Sequence, residues 1–249
     1  MKTMDIRAYF HLVKGDTLAF RSHLERVYPI VEKLSLIDPL AKDFLLCGET
    51  LEDCLMYAVY EPDGALTKAA EVVLETKYKN ETTRSAIWQN SEEKNPDHWI
   101  SISYSFNSDE MLCSFSIHFN GEQRFSKTES LLTLIDVIAK VLKPSIVTVT
   151  GPFYKPVFPD RSGLCWMMYL PKVFTAQQIP EARALVPVMS NDKKPVRLGT
   201  IVVSVANELY SDENPEHVKI AHDIEMRMVN EDLLPTFAQL RVRPEWVDK

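Results

Sequence analysis

Glycine is scarce in this chain, with seven residues in 249. None falls into a G-x-G-x-x-G or G-x-x-x-x-G-K-[S/T] pattern, so the backbone cradles that hold dinucleotides and nucleoside triphosphates are missing. Cysteine is equally sparse. Cys47, Cys54, Cys113 and Cys165 are widely spaced among apolar neighbours, with no C-x-x-C and no Cys/His metal spacing. They read as reduced, buried thiols acting as small hydrophobes. No apolar run approaches the roughly 20 residues that a membrane-spanning helix needs; the longest candidate, residues 164–170, has the length of a strand. Asp5, Arg7 and His11 interrupt any apolar signal core at the start, so cytoplasmic residence is the expectation. Positive charge is in deficit too: 28 Lys and Arg against 35 Asp and Glu, a net −7. Gripping a phosphate backbone needs a basic face, which argues against direct nucleic-acid binding.

What remains is an ordinary globular composition, 45% hydrophobic and 25% charged, with an unusual distribution of charge. Residues 208–232 hold eight acidic residues against Lys219 and Arg227, and residues 43–75 hold eight against Lys68. Those two windows leave nineteen acids against twenty-five bases in the rest of the chain. Such polarisation speaks about partners more than about fold.

Periodicity supplies the elements. Ile6, Ala8, Phe10 and Leu12 alternate with polar residues, predicting a half-buried strand over 5–13. Gly15-Asp16 turns the chain, with Asp16 as an N-cap. Phe20, Leu24, Val27, Val31 and Leu34 form one face of a helix that Pro29 is expected to kink or break, before Asp38-Pro39 closes it. Leu51, Cys54, Leu55 and Ala58 suggest a short helix, Glu61-Pro62-Asp63-Gly64 a turn, and residues 65–79 have helical composition. Residues 80–97 read as a polar loop. Ile100, Ile102, Tyr104 and Phe106, then Cys113, Phe115, Ile117 and Phe119, alternate with polar residues around Asn107-Ser108-Asp109-Glu110, which predicts a hairpin. Ser126-Lys127-Thr128-Glu129 reads as a capping box, opening a helix that buries Leu131, Ile135, Ile138 and Leu142 and stops at Pro144.

A strand over 145–150, a buried strand or tight apolar segment over 164–170 and a strand from Gly199 follow, separated by a proline-rich connection at 151–163 and an irregular link at 171–195. Asn214-Pro215 then opens a helix predicted to bury Ile220, Ala221, Ile224 and Met228. This irregular mixture of hairpins and helices predicts an α+β fold: a mixed or largely antiparallel sheet with helices packed on it, in one domain over 1–249. A strand followed by a long helix at each chain end also allows two related halves, 1–97 and 98–249.

The chemistry-bearing residues form no catalytic or metal constellation, and no cofactor is expected. His217 and His222 stand five apart on the last helix, where a metal-binding pair needs a spacing of four. His11, His23, His98 and His118 are isolated, and no G-x-S-x-G elbow is present. The adjacent acids read as solvated charge, and Ser162-Gly163-Leu164-Cys165-Trp166 as a bend entering a core strand.

Three motifs are familiar. Leu164-Cys165-Trp166-Met167-Met168-Tyr169-Leu170-Pro171, then Gly199-Thr200-Ile201-Val202-Val203-Ser204-Val205, then Asn214-Pro215-Glu216-His217-Val218 leading to Ala221-His222-Asp223-Ile224-Glu225 and Leu233-Leu234-Pro235, resemble the immunity protein 52 family. The match is specific over about the last third of the chain; Phe44 stands where that family leads one to expect a tryptophan. The resemblance implies a cytoplasmic, non-enzymatic inhibitor of a cognate toxin of polymorphic or type VI secretion systems. That toxin is typically a restriction-endonuclease-like nuclease. In this reading Trp166, Tyr169, Gly199, Asn214 and Pro215 are framework residues. A nuclease presents a basic face, so the outward acids Asp212, Glu213, Glu216, Asp223 and Glu231, or the window around 49–63, are the expected toxin contact. Alternatives from other classes are a small-molecule enzyme with a pocket near Trp166 and Tyr169, and a non-catalytic adaptor.

Overall fold

In the computed structural model of the protein, residues 3–13, 16, 19–38, 41–47, 57–77, 84–89, 99–107, 112–120 and 127–242 are described. Nine strands are β1 (Thr3–His11), β2 (Phe44–Leu46), β3 (Arg84–Gln89), β4 (Trp99–Asn107), β5 (Leu112–Asn120), β6 (Ile146–Thr150), β7 (Met167–Leu170), β8 (Ala184–Met189) and β9 (Arg197–Val203). They form one sheet in the order β2-β3-β4-β5-β1-β6-β7-β9-β8. Every neighbouring pair is antiparallel. Among the described residues the helices are α1 (Phe20–Ile37), α2 (Lys68–Lys77), α3 (Thr128–Leu142), α4 (Pro215–Asn230) and the short α5 (Phe237–Arg241). The fold is α+β, with an all-antiparallel sheet.

The pleat sorts side chains onto two faces. The first face carries Ile6, Ala8 and Phe10 of β1 with Ile102, Phe115 and Ile117, and packs against Leu24, Val27 and Val31 of α1 and Leu131, Ile135 and Ile138 of α3. The second face has its buried apolar core over β6, β7 and β9, with Tyr9 of β1 and Leu185 of β8 at its margins. There Ile146, Met168, Leu170 and Val202 meet Ala221, Ile224 and Met228 of α4, with Leu234 and Leu240 beyond it. Neighbours in sequence divide between the two cores: Val147, Met167 and Val203 belong to the first, and Ile146, Met168 and Val202 to the second. Burial on both faces is why residues 164–170 read as a continuous apolar run while β4 and β5 alternate.

The helix faces predicted from spacing are the buried ones, but several local expectations change. α1 runs unbroken through Pro29. Val27, Ile30, Val31 and Leu34 on both sides of the proline are buried. Burying four such side chains, at roughly 1.5–3 kcal/mol each, outweighs the ~3 kcal/mol cost of an interior proline. Asp16 does not cap the helix. The N-cap is Ala19, without a side-chain cap bond, while Asp16 accepts from the Val13 N–H and from Arg26. The box expected at Ser126 is not the helix start either: Lys127 is the N-cap of α3, with no side-chain cap bond, and Ser126 lies outside the described residues. Lys143, in the left-handed region at φ 48°, closes that helix before Pro144.

Two strands occupy segments expected to be irregular. In β3 the buried positions include Ser85 and Gln89 beside Ile87, so polar residues sit on the core side and the hydrophobic alternation is hidden. β8 contains Pro187, tolerated because β8 is an edge strand. The expected short helix at Leu51, Cys54 and Leu55, the turn at Ser108 to Glu110, and His98 lie outside the described residues. Ala58 instead makes an antiparallel bridge to Leu45.

Candidate protein-binding surface

The start of α4 is built as its sequence dictates. Asn214 Oδ1 accepts the Glu216 N–H at 3.1 Å, and Pro215 occupies the first turn, where no backbone donor is needed. The helix then buries His217, Ala221, Ile224, Glu225 and Met228. Ile220, expected in the core, is only partly buried.

Glu225 takes a place that an apolar residue would ordinarily fill; it is 1% exposed. Its carboxylate accepts the Tyr154 hydroxyl at 2.5 Å and the N–H groups of Val157 and Leu164, both at 2.8 Å. A buried charge survives only when its acceptor capacity is used, and here two donors from the proline-rich connection and one from Leu164 just after it supply that. The connection is stitched down further. His222 Nε2 donates to the Lys155 carbonyl at 2.9 Å, Arg161 donates to the Leu234 carbonyl, and the Phe237 N–H donates to the Asp160 carbonyl at 2.8 Å.

The residues singled out by the family resemblance lie in the same frame. Trp166 is 2% exposed and donates its indole N–H to the Val205 carbonyl at 2.9 Å. The Tyr169 hydroxyl donates to the Leu198 carbonyl at 3.2 Å, and burial pushes that phenol up to about 12. A Cβ on Gly199 would stand 2.3 Å from the Leu170 carbonyl oxygen and 2.6 Å from the Tyr169 ring, so β7 and β9 approach only because residue 199 has no side chain. Cys165 holds a left-handed backbone at φ 48°. Burial raises its thiol to about 12, so it stays protonated and accepts the Gly151 N–H at 3.3 Å. Tyr169 also lines a groove of about 330 Å³ with Ala139, Lys143, Pro144, Pro171, Arg197 and Leu198; Trp166 does not reach it.

The five acids nominated for partner contact fall into different situations. Asp212 turns inward: its Oδ2 accepts the Phe153 N–H at 3.1 Å. Asp223 is bound by Lys219 at 3.0 Å. Glu213, Glu216 and Glu231 are exposed. Glu216 and Glu231 are fifteen residues apart at the two ends of α4, so their backbones are separated by about 22 Å. Exposed Glu208 meets His217 Nε2 at 3.2 Å, the His217 Nδ1 accepting from the Ser211 N–H. Of the other acidic window, Glu61 and Asp63 are exposed on a turn, and Glu49, Glu52 and Asp53 lie outside the described residues.

A second surface was not nominated from the sequence. On the second face, the cross-strand row Trp88, Ser101, His118, Asp5 and Thr150 runs across β3, β4, β5, β1 and β6. Beside it runs the row Ala86, Ser103, Ser116, Arg7 and Thr148. Asp5 and His118 pair at 2.5 Å, each about a third exposed, and Trp99 stacks on the His118 ring at 4.9 Å. These two rows give that part of the second face a polar outer side, on which the serines and His118 are half-buried. The alternation of Ser114, Ser116 and His118 marked the outward side, but only strand order brings Asp5, 113 residues away in sequence, beside it. No cluster of three or more metal-ligating side chains occurs among the described residues, and among them no helix is long and apolar enough to cross a membrane.

No family model matches the chain and no curated protein matches it. Its fold is similar to that of the Pseudomonas aeruginosa T6SS protein PA0821, with a TM-score of 0.52 and 14% identity over 89% of this chain and 75% of that one. At that identity the likeness is one of fold.

Proposed function

We propose that this protein is a cytoplasmic, non-enzymatic immunity protein of the immunity protein 52 type. It binds and neutralises a cognate toxin of a type VI secretion system, a restriction-endonuclease-like nuclease with a basic surface. The observation that carries the reading is the fold shared with a T6SS protein over 89% of the chain, and the motif resemblance of the last third agrees with it. The geometry adds support for binding over catalysis. Glu225, Asp212 and Trp166, the groups nearest a catalytic appearance, are engaged in holding backbone, whereas Glu213, Glu216 and Glu231 are exposed. Exposed carboxylates speed encounter with a basic partner and select it.

The test is co-expression with the product of the neighbouring gene, followed by co-purification and a nuclease assay with and without this protein. The reading expects a stable complex and lost nuclease activity. Absence of a complex, or full activity within one, overturns it. The contact is tested by Glu213→Lys, Glu216→Lys and Glu231→Lys together, leaving the internally bound Asp212 and Asp223 in place. The triple variant is expected to bind more weakly with a flatter salt dependence; unchanged affinity and salt dependence would remove α4 from the interface.

A further inference from the structure

The chain's negative charge has a basic counterpart at the opposite kind of element. Between positions 172 and 197 stand Lys172, Arg183, Lys193, Lys194 and Arg197 against only Glu181 and Asp192. Glu181 is already committed, accepting from Arg227 at 2.8 and 3.0 Å on α4. This segment folds around the edge strand β8, and beside it lies a groove of about 650 Å³. Phe174, Ile179, Leu185 and Pro187 supply its apolar lining, and Arg183 and Arg197 its charge.

Neither guanidinium has a carboxylate partner among the described residues. Arg197 donates to the Thr200 hydroxyl at 2.8 Å and to the Gly199 carbonyl at 3.3 Å, and Arg183 is exposed. Arg183 immediately precedes β8, whereas the backbone of Arg197 is the register partner of Met189, its last residue, and its guanidinium reaches back to Thr200, the register partner of Pro187. The groove therefore holds Leu185 and Pro187 with Arg183 before the strand and the Arg197 guanidinium alongside its later part. Met189 and Val196, 38% and 56% exposed, add apolar surface beside the Arg197 end.

We infer that this groove binds an extended peptide segment of a partner protein in which apolar side chains are flanked by carboxylates. The apolar side chains cover Leu185 and Pro187, and the carboxylates meet Arg183 and Arg197 in the forked geometry that guanidinium favours. Pro187 lacks a backbone donor, so an added strand on β8 loses one ladder bond. Recognition therefore rests on the side chains and the charges more than on main-chain pairing. This surface differs in charge from the exposed ends of α4, and it stands whether or not the chain neutralises a toxin.

The probe is a blocked Glu-Leu-Val-Leu-Glu peptide, titrated by fluorescence anisotropy and by amide chemical shifts, with the Gln-Leu-Val-Leu-Gln peptide beside it. Saturable binding is expected, with shifts confined to residues 174–197, stronger for the acidic peptide and weakened by salt. Arg183→Ala is expected to lower affinity about twofold to fivefold, the range of a surface ion pair, and Arg183→Glu further, both with unchanged melting. Equal binding of the two peptides, unchanged affinity in Arg183→Glu, shifts centred elsewhere, or no saturation at millimolar peptide would each overturn the inference. Peptide binding without toxin binding would defeat the immunity reading alone; the reverse would defeat only the groove.

Discussion

The hairpin β4–β5 and the pair β7–β9 belong to the same antiparallel ladder, yet one buries a single face and the other buries two. On β4 and β5 the outward residues are mostly polar, Ser101, Ser103, Ser105, Ser114, Ser116 and His118 between Trp99 at one end and Leu112 at the other, all half-buried. On β7 and β9 the corresponding positions are Met168, Leu170 and Val202, all under α4. Small polar residues offer a helix nothing to bury, so α4 settles where the outward positions are apolar. One sheet thus acquires a doubly covered, rigid region and a region whose second face keeps polar chemistry at its surface. The covered region also needed Glu225 to hold the connection that closes over it, whereas on the polar region Asp5 and His118 are hydrogen-bonded to each other at the surface.

The sharpest way to break this contrast is at Glu225. Glu225→Ala is expected to destabilise by about 3–5 kcal/mol, because three donors lose a charged acceptor in a buried site. Urea unfolding measures the loss, and hydrogen exchange over 151–163 should quicken before the rest of the chain. Ile224→Ala is next, at about 2–4 kcal/mol from lost burial and a residual cavity, without that selective effect on the connection. An undiminished midpoint for either would show that α4 does not cover the sheet as described.

A third effect concerns the covered first face, through a buried histidine. His23 on α1 stacks on Tyr104 at 3.9 Å, and burial, with Arg26 adding to it, drives its imidazole down to about 3. The unfolded chain, with an ordinary histidine near 6.5, then binds the proton that the folded chain refuses. Stability is therefore full above pH 6.5 and falls as pH drops from there toward 3, by up to roughly 1.4 kcal/mol per pH unit. His23→Phe should flatten that part of the stability–pH curve, as read by denaturant midpoints between pH 7 and 4; a curve parallel to the parent's would refute it. The smallest effect is expected on the polar face itself, where Ser103→Val should change stability by no more than about 0.5 kcal/mol.

How much of this was legible in the sequence follows from the range of each contact. The β4–β5 alternation, the apolar faces of α1, α3 and α4, and the Asn214-Pro215 cap are local patterns, and they form as spacing dictates. β3 escaped because Ser85 and Gln89 occupy its core side, and β8 because Pro187 breaks the pattern of a strand that only an edge position permits. The acids of the last third looked alike in sequence. In the fold, Glu225 is a buried clamp, Asp212 a loop anchor, Asp223 a lysine's partner, and only Glu213, Glu216 and Glu231 of the five nominated acids stand exposed without an ion pair among the described residues.

The sequence by itself determined the long amphipathic helices, the β4–β5 pair, that the fold is α+β, and that charge is unevenly shared along the chain. Tertiary structure alone decided the strand order, the helix-covered half of the second face, and the use to which each carboxylate is put. Those outcomes depend on contacts such as Glu225 with Tyr154, Asp212 with Phe153 and Asp5 with His118, separated by 71, 59 and 113 residues. A side chain's own neighbours in sequence encode its period, but its desolvation and its partners are set only when distant segments pack around it.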